Sequence, residues 1–293
     1  MSEEVGRGIL GEVTAIDQVV ESGWSRRKSR HIIFLMSASV SLLMTGFGII
    51  MPIFGRKLAE MGLGVESLGM MIMAFSIAQF VAAPLMGKMA DRYGRRRLVL
   101  LALFSFGVAN LAFLLADSLV LFVAIRAVQG FFTAGLLPAC IGIIGDLDSG
   151  DGRAKKIGWL VAGHSVGFVF GPFLGGLWYD LWGFEIPFLI SAALGFISLV
   201  FTYFMIPETL GLQIERLKGE PGFPVKNLSP TIKNTVTKHL PKPMTLFTLL
   251  LFLEFICLFS LAYVEPQMVF YFYGELGWST MMFGLAVGTF GLS

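Results

Sequence analysis

The sequence predicts an all-α membrane protein: a complete six-helix bundle followed by the start of a second bundle. Three observations lead there. Hydrophobic residues make up 55% of the 293 and charged residues only 14%, whereas a soluble domain carries about 25% charged residues. Seven apolar segments, about 31–54, 67–86, 98–116, 119–145, 157–178, 186–206 and 244–268, reach the roughly 20 residues a spanning helix needs. An eighth begins near Thr280 and is truncated at Ser293. Finally, the cations fall almost entirely in alternate connections. Lipid offers no partner for backbone N–H and C=O groups, so the spans are helices.

Residues 1–30 are polar and contain Glu3, Glu4, Glu12, Asp17 and Glu21. They lack the basic start and short apolar core of a cleaved leader, so the first apolar run is a retained span. Ile9, Val13, Ile16 and Val20 recur at helical spacing opposite the acids, which predicts a short amphipathic helix packed on the cytoplasmic face.

Arg7, Arg26, Arg27, Lys28 and Arg30 precede the first span. Lys88, Arg92, Arg95, Arg96 and Arg97 separate the second from the third, and Arg153, Lys155 and Lys156 the fourth from the fifth. Arg216, Lys218, Lys226, Lys233, Lys238 and Lys242 separate the sixth from the seventh, so 19 of the 22 cations share one side. Arg56 and Lys57 lie on the other, and Arg126 is inside a span. The positive-inside rule then makes the amino terminus and the basic connections cytoplasmic, in a multi-pass protein of the plasma membrane.

The segment 207–243 is long, polar and dotted with Pro221, Pro224, Pro230, Pro241 and Pro243. Ser229-Pro230 reads as a cap and first-turn pair opening a short helix there. The organisation expected is a cytoplasmic tail (1–30), an amino-terminal six-helix bundle (31–206), a central cytoplasmic loop (207–243) and the opening of a second bundle (244–293). A shift of 215 residues supports it by placing Glu60, Gly62, Gly69 and Phe75 on Glu275, Gly277, Gly284 and Phe290.

Several function classes are excluded. Residues 6–11, GRGILG, fit G-x-G-x-x-G but follow no strand, and no phosphate-binding G-x-x-x-x-G-K-[ST] occurs. Neither nucleotide nor nucleic acid is an expected partner, and no cofactor or metal is expected. Cys140 and Cys257 both lie in apolar runs and read as buried small hydrophobes. No convergent His/Asp/Glu cluster suggests an enzyme.

The stretch 87–96, GKMADRYGRR, resembles at every defined position the cytoplasmic loop signature of the major facilitator superfamily, G-x-x-x-D-[RK]-x-G-[RK]-[RK]. RAVQG at 126–130 resembles that family's R-x-x-Q-G element, with Phe132 where a small residue is common. GFVFGPFLGG at 167–176 resembles the G-x-x-x-G-P-x-x-G-G element of its antiporters, and PETL at 207–210 is common in its drug:proton antiporter branch. The resemblance implies that Gly87, Asp91, Arg92, Gly94, Arg95 and Arg96 form a cytoplasmic latch between two bundles. Orientation alone would explain the cations. It would not explain Asp91, or the two glycines that suit a tight turn and close backbone approach.

Arg126 lies about 10 Å from the outer end of span four, Gln129 is on the same face, and a charge at that depth usually faces a polar cavity. In the resembled fold, helices one, four, seven and ten line the cavity, with Thr45, Gln79 and Asn110 as further candidates. Glu254 lies ten residues into span seven and is the expected proton carrier. Desolvation favours the neutral form of such a carboxylate and a nearby cation favours the ionised form, a balance that suits reversible protonation. His164 is the rival titrating group. Gly163, Gly167, Gly171 and Gly175 recur every four residues and, with Pro172 and Gly176, form a close-packing face that serves as a hinge.

The expected activity is secondary active transport of a small organic molecule by alternating access, as drug export by proton antiport, by a monomer when complete. The alternatives are a proton-coupled symporter or uniporter of a metabolite, and a truncated, non-transporting membrane remnant.

Overall fold

The computed structural model describes residues 26–147, 152–209 and 244–290, and all regular structure among them is helical. The expected amphipathic tail helix and the turn at Ser229-Pro230 lie outside the described residues. The helices are α1 (Arg26–Glu60), α2 (Val65–Tyr93), α3 (Arg95–Phe113), α4 (Leu119–Thr133), α5 (Leu136–Leu147), α6 (Arg153–Trp182), α7 (Glu185–Met205), α8 (Met244–Gly274) and α9 (Thr280–Phe290). With α4 and α5 taken as one span, seven are long and apolar enough to cross a membrane. The end of the molecule that carries Arg95, Arg96 and Arg153 is its basic end.

Two features differ from the sequence expectation for local reasons. Span four is not one continuous helix: it breaks at Ala134 and Gly135. Pro138 has no N–H to return to the Ala134 carbonyl, and its ring clashes with that group. The basic stretch between spans two and three is also barely a loop. Helix α2 runs on through Tyr93 and α3 starts at Arg95, so Gly94 alone makes the break at φ 101° and ψ 146°. Gly87 does not serve the turn expected of it. It lies inside α2, and a side chain added there would meet nothing within 4 Å.

Without water between helices, association in lipid depends on close packing and interhelical hydrogen bonds. The tightest contact is between α1 and α6. Side chains added at Gly163, Gly167 and Gly175 would run into the α1 backbone at Ser37, Ser41 and Ile49, while Gly171 and Gly48 lie against each other. Gly176 faces another way, toward the Thr280 carbonyl and Met281 of α9. The five glycines therefore serve two different interfaces.

The core has two parts. Toward the basic end, Ile33, Met36 and Val40 of α1 pack with Met86, Leu98, Phe106, Cys140 and Ile143. Toward the other end, Phe54, Phe113, Phe122 and Phe188 interlock, with Phe54–Phe113 and Phe54–Phe188 centroids 4.9 and 5.5 Å apart. Val269 and Tyr273 of α8 and Phe283 of α9 belong to this second part. Cys140 is buried as expected, but Cys257 is exposed, because the Met244–Tyr263 stretch of α8 lies outside the packed core. The internal repeat recurs in geometry: Gly62 after α1 and Gly277 after α8 both have positive φ, 72° and 62°, and Pro52 and Pro266 lie inside the two helices.

Candidate functional site: a caged arginine and a basic-end ion pair

Phe122, Arg126, Gln129 and Gly130 form the buried face of α4, at the i, i+4, i+7 spacing of one helical stripe. Arg126 is only 9% exposed. Its guanidinium carbon lies 4.4 Å from the Phe54 ring centroid, 5.3 Å from Phe47, 5.7 Å from Phe75 and 5.8 Å from Phe113. Rings at those distances offer their negative faces to a cation, which lowers the cost of keeping the charge out of water. Arg126 also donates to Gln129 Oε1 at 2.9 Å. Gln129 Nε2 is buried with no hydrogen-bond partner among the described residues, so the site keeps a polar group to spare.

The acid within electrostatic reach of Arg126 is Glu265 of α8. It is partly buried, while Glu254 is exposed and lies about 16 Å further along the helix. Sequence reasoning misses Glu265 because hydropathy ends the apolar run near 268. The helix continues to Gly274, so Glu265 lies about 13 Å from that end and Arg126 about 10 Å from the same face of the bundle. The Glu-Pro pair inside an apolar segment is the available signal. Of the other candidates, Thr45 is half-buried and donates to the Ser41 carbonyl at 2.8 Å. Asn110 is fully buried and donates to the Phe106 carbonyl at 2.8 Å. Gln79 is exposed, and His164 is half-buried on α6 beside Gly163. The structure thus joins Arg126 to Gln129 by a hydrogen bond and leaves Glu265 in longer-range electrostatic interaction with Arg126, and neither Glu254 nor His164 enters that interaction.

At the basic end, Arg95 pairs with Asp146 at 2.6 Å and donates to the Gly142 carbonyl. Thr209 donates to Asp146 Oδ2 at 2.7 Å, and its N–H bonds Glu208 Oε1 at 3.0 Å. Arg96 donates to the Tyr203 carbonyl and lies 5.1 Å from that residue's ring centroid. Gly94 is required here twice over: its φ is positive, and a side chain would strike the Glu208 carboxylate. Asp91 and Arg92 are exposed, and Asp91 forms no ion pair among the described residues. Among the described residues, Asp146, at the end of span four, is an acid that pairs with one of these arginines, Arg95. Asp146→Asn should therefore lower thermal stability, since removing one partner of a largely buried pair costs about 3 kcal/mol. Asp91→Asn should leave the melting temperature unchanged. Thermal unfolding of both variants in detergent checks this.

The sequence pattern of the Major Facilitator Superfamily matches residues 33–293. Multidrug resistance protein 2 of Bacillus subtilis is 28% identical over 189 residues, covering 64% of this chain and 47% of that protein. Quinolone resistance protein NorA of Staphylococcus aureus is 26% identical over 176 residues, 60% of this chain and 45% of its own length. The chain spans about half the length of these curated relatives. Among solved structures, the human organic anion transporter MFSD10 (TETRAN) superposes with a TM-score of 0.66 at 21% identity, over 90% of this chain and 70% of that one. A bacterial homologue of the human lysosomal transporter Spinster, inward-facing and occupied, gives 0.56 at 17% identity, over 63% and 46%. Together with its seven spans, these findings show that the chain belongs to the Major Facilitator Superfamily.

Proposed function

We propose that this chain supplies the first helical bundle and the opening of the second in a secondary transporter that exports small organic molecules by proton antiport. The observation that supports this reading is the buried Arg126, caged by four aromatic rings and within electrostatic range of Glu265. A carboxylate that can be neutral or ionised beside a fixed cation is a two-state element. Protonation removes the Glu265 charge, and loss of the proton restores its attraction to Arg126. Aromatic walls accept amphiphilic organic bodies through area and ring contacts, and a cationic substrate would compete with the proton for Glu265, which is antiport.

The buried guanidinium favours a second reading. An anionic substrate would neutralise Arg126, and without that cation nearby Glu265 would bind a proton more readily. Substrate and proton would then travel together. A pH jump imposed on vesicles that contain the complete transporter, loaded with a cationic or an anionic dye, separates the two. Proton-driven movement of the cationic dye against the proton supports antiport, movement of the anionic dye with the proton supports symport, and no movement of either dye refutes both.

Alternating access also needs a defined orientation. We assign the amino terminus, Lys88–Arg97 and Arg153–Lys156 to the cytoplasm of a plasma membrane, from the cation asymmetry. In right-side-out vesicles, a cysteine at position 92 should resist an impermeant thiol reagent and one at position 56 should label. Labelling at 92 from outside reverses the topology. The latch reading of Asp91 is part of the same proposal, with its partner in the second bundle. Asp91→Asn should slow cycling at least tenfold while insertion is normal, measured as dye flux per inserted molecule.

A further inference from the structure

Resting on the alternating-access reading, we propose that Asp180 is a gate residue: its carboxylate pins the amino end of α9 to α6 and holds the molecule shut at the end opposite the basic cluster.

The backbone N–H of Thr280 reaches Asp180 Oδ1 at 3.2 Å and that of Met281 reaches Oδ2 at 2.8 Å. First-turn N–H groups have no partner within their own helix, and an anion is favoured there by the helix dipole. Capping alone does not explain the arrangement. Ser279 already caps α9 locally, its Oγ accepting from the Met282 N–H at 3.2 Å. Asp180 comes from α6, 100 residues earlier in the chain. The added bonds therefore tie two distant helices together.

The surrounding contacts reinforce the same closure. Tyr273 of α8 donates to the Pro52 carbonyl of α1 at 3.0 Å, and the Arg56 guanidinium lies 5.7 Å from the Tyr273 ring centroid. Tyr179, next to Asp180, donates to Glu60 at 2.7 Å, and Glu60 pairs with Arg56 at 3.3 Å. Val269 of α8 seats against Gly55. Nothing comparable joins α8 or α9 to the earlier helices at the basic end among the described residues, where the Met244–Tyr263 stretch is exposed. The hydrogen-bonded ties that α8 and α9 make to the first six spans are concentrated at one end, which must part once per cycle if access alternates.

Asp180 suits a bond that has to break. Its side chain is exposed, so water can replace both N–H donors when the helices separate, and net hydrogen-bond energies in water are small. A buried pair would resist the same movement.

The test uses the complete transporter with every native cysteine, Cys140 and Cys257 among them, replaced by Ser and a single reporter, Val269→Cys, which is closed off against Gly55 in this structure. Labelling by an impermeant maleimide applied from the face opposite the basic end should be at least fivefold faster in Asp180→Ala than with Asp180 intact, and intermediate in Asp180→Asn. An unchanged rate in both variants overturns the proposal. Should Asp180→Ala fail to insert, cysteines at 180 and 281 joined by a short bifunctional thiol reagent provide a second measurement. Transport should stop on cross-linking and return on cleavage of a reducible linker, and transport that continues through a formed cross-link overturns the proposal. A parent protein that moves neither dye would refute the transport reading instead, while the labelling rates would still report the clasp.

Discussion

Replacing Glu265 with Gln should abolish proton-driven dye movement, by at least tenfold, while leaving exchange of dye between equal pools measurable. Gln keeps the shape and the hydrogen-bonding capacity of Glu but cannot take up or release a proton at working pH. The coupling step would be lost, and the rocking of helices that serves exchange would survive. Glu254→Gln should retain at least half of the parent activity, because Glu254 lies about 16 Å further along the same helix and outside the interaction with Arg126. If the two variants exchange behaviour, the proton carrier is Glu254, and the burial of Glu265 beside Arg126 serves folding. Loss of both driven transport and exchange in Glu265→Gln would likewise refute a coupling role and leave a structural one. Reconstituted vesicles with a pH gradient, then with none, measure both quantities.

The second large effect is on assembly. Gly175→Val should prevent recovery of folded, monodisperse protein, because even the first added carbon would lie 2.7 and 2.8 Å from the carbonyl carbon and Cα of Ile49. Helix α1 cannot yield there without moving Ile50, Ile53 and Phe54, which are fully buried in the second part of the core. Overpacking of a tight interior typically costs about 1–3 kcal/mol, and here the obstacle is backbone and not a flexible side chain. Gly87→Ala is the matched control. Its added methyl meets nothing within 4 Å, and Ala in a helix interior is favoured over Gly by about 1 kcal/mol. Size-exclusion profiles and melting curves in detergent should separate the two variants clearly. Equal stability would show that α1 and α6 are further apart than described.

How far the site can be read from the sequence depends on the kind of signal. Arg126 is visible because a lone cation in an apolar run is chemically costly wherever the helix is turned. Gln129 follows from the helical period. Glu265 escapes notice because hydropathy defines where an apolar run fades, and not where a helix stops. The residues from Val269 to Gly274 continue α8 past that point and carry Glu265 inward. Glu254 draws attention by its central position in a span. Position along a helix leaves the direction of the side chain open, and among the described residues Arg126 interacts with Glu265 and not with Glu254.

The basic stretch shows the same division. Charge pattern and motif mark residues 87–97, and Gly94 does make the turn there. Which acid engages which arginine cannot be read, because Arg95 and Asp146 are 51 positions apart and meet only when α3 packs beside α5. The glycines of α6 signal close packing. That four of them face α1 and Gly176 faces α9 follows from the angle at which three helices meet.

By itself the sequence determined the apolar spans found among the described residues, their helical nature, the clustering of cations in alternate connections and the presence of a buried cation. Each of these is set by local composition against an apolar layer about 30 Å thick, a constraint that acts on every segment independently. The tertiary structure decided which charges meet. It placed four rings around Arg126, set Glu265 of another helix within electrostatic range of it, put Asp146 on Arg95 and laid Asp180 against the start of α9. Those pairings depend on helix rotation and length. Rotation and length are fixed by steric fit between faces that are far apart in the chain, and no single segment carries that information.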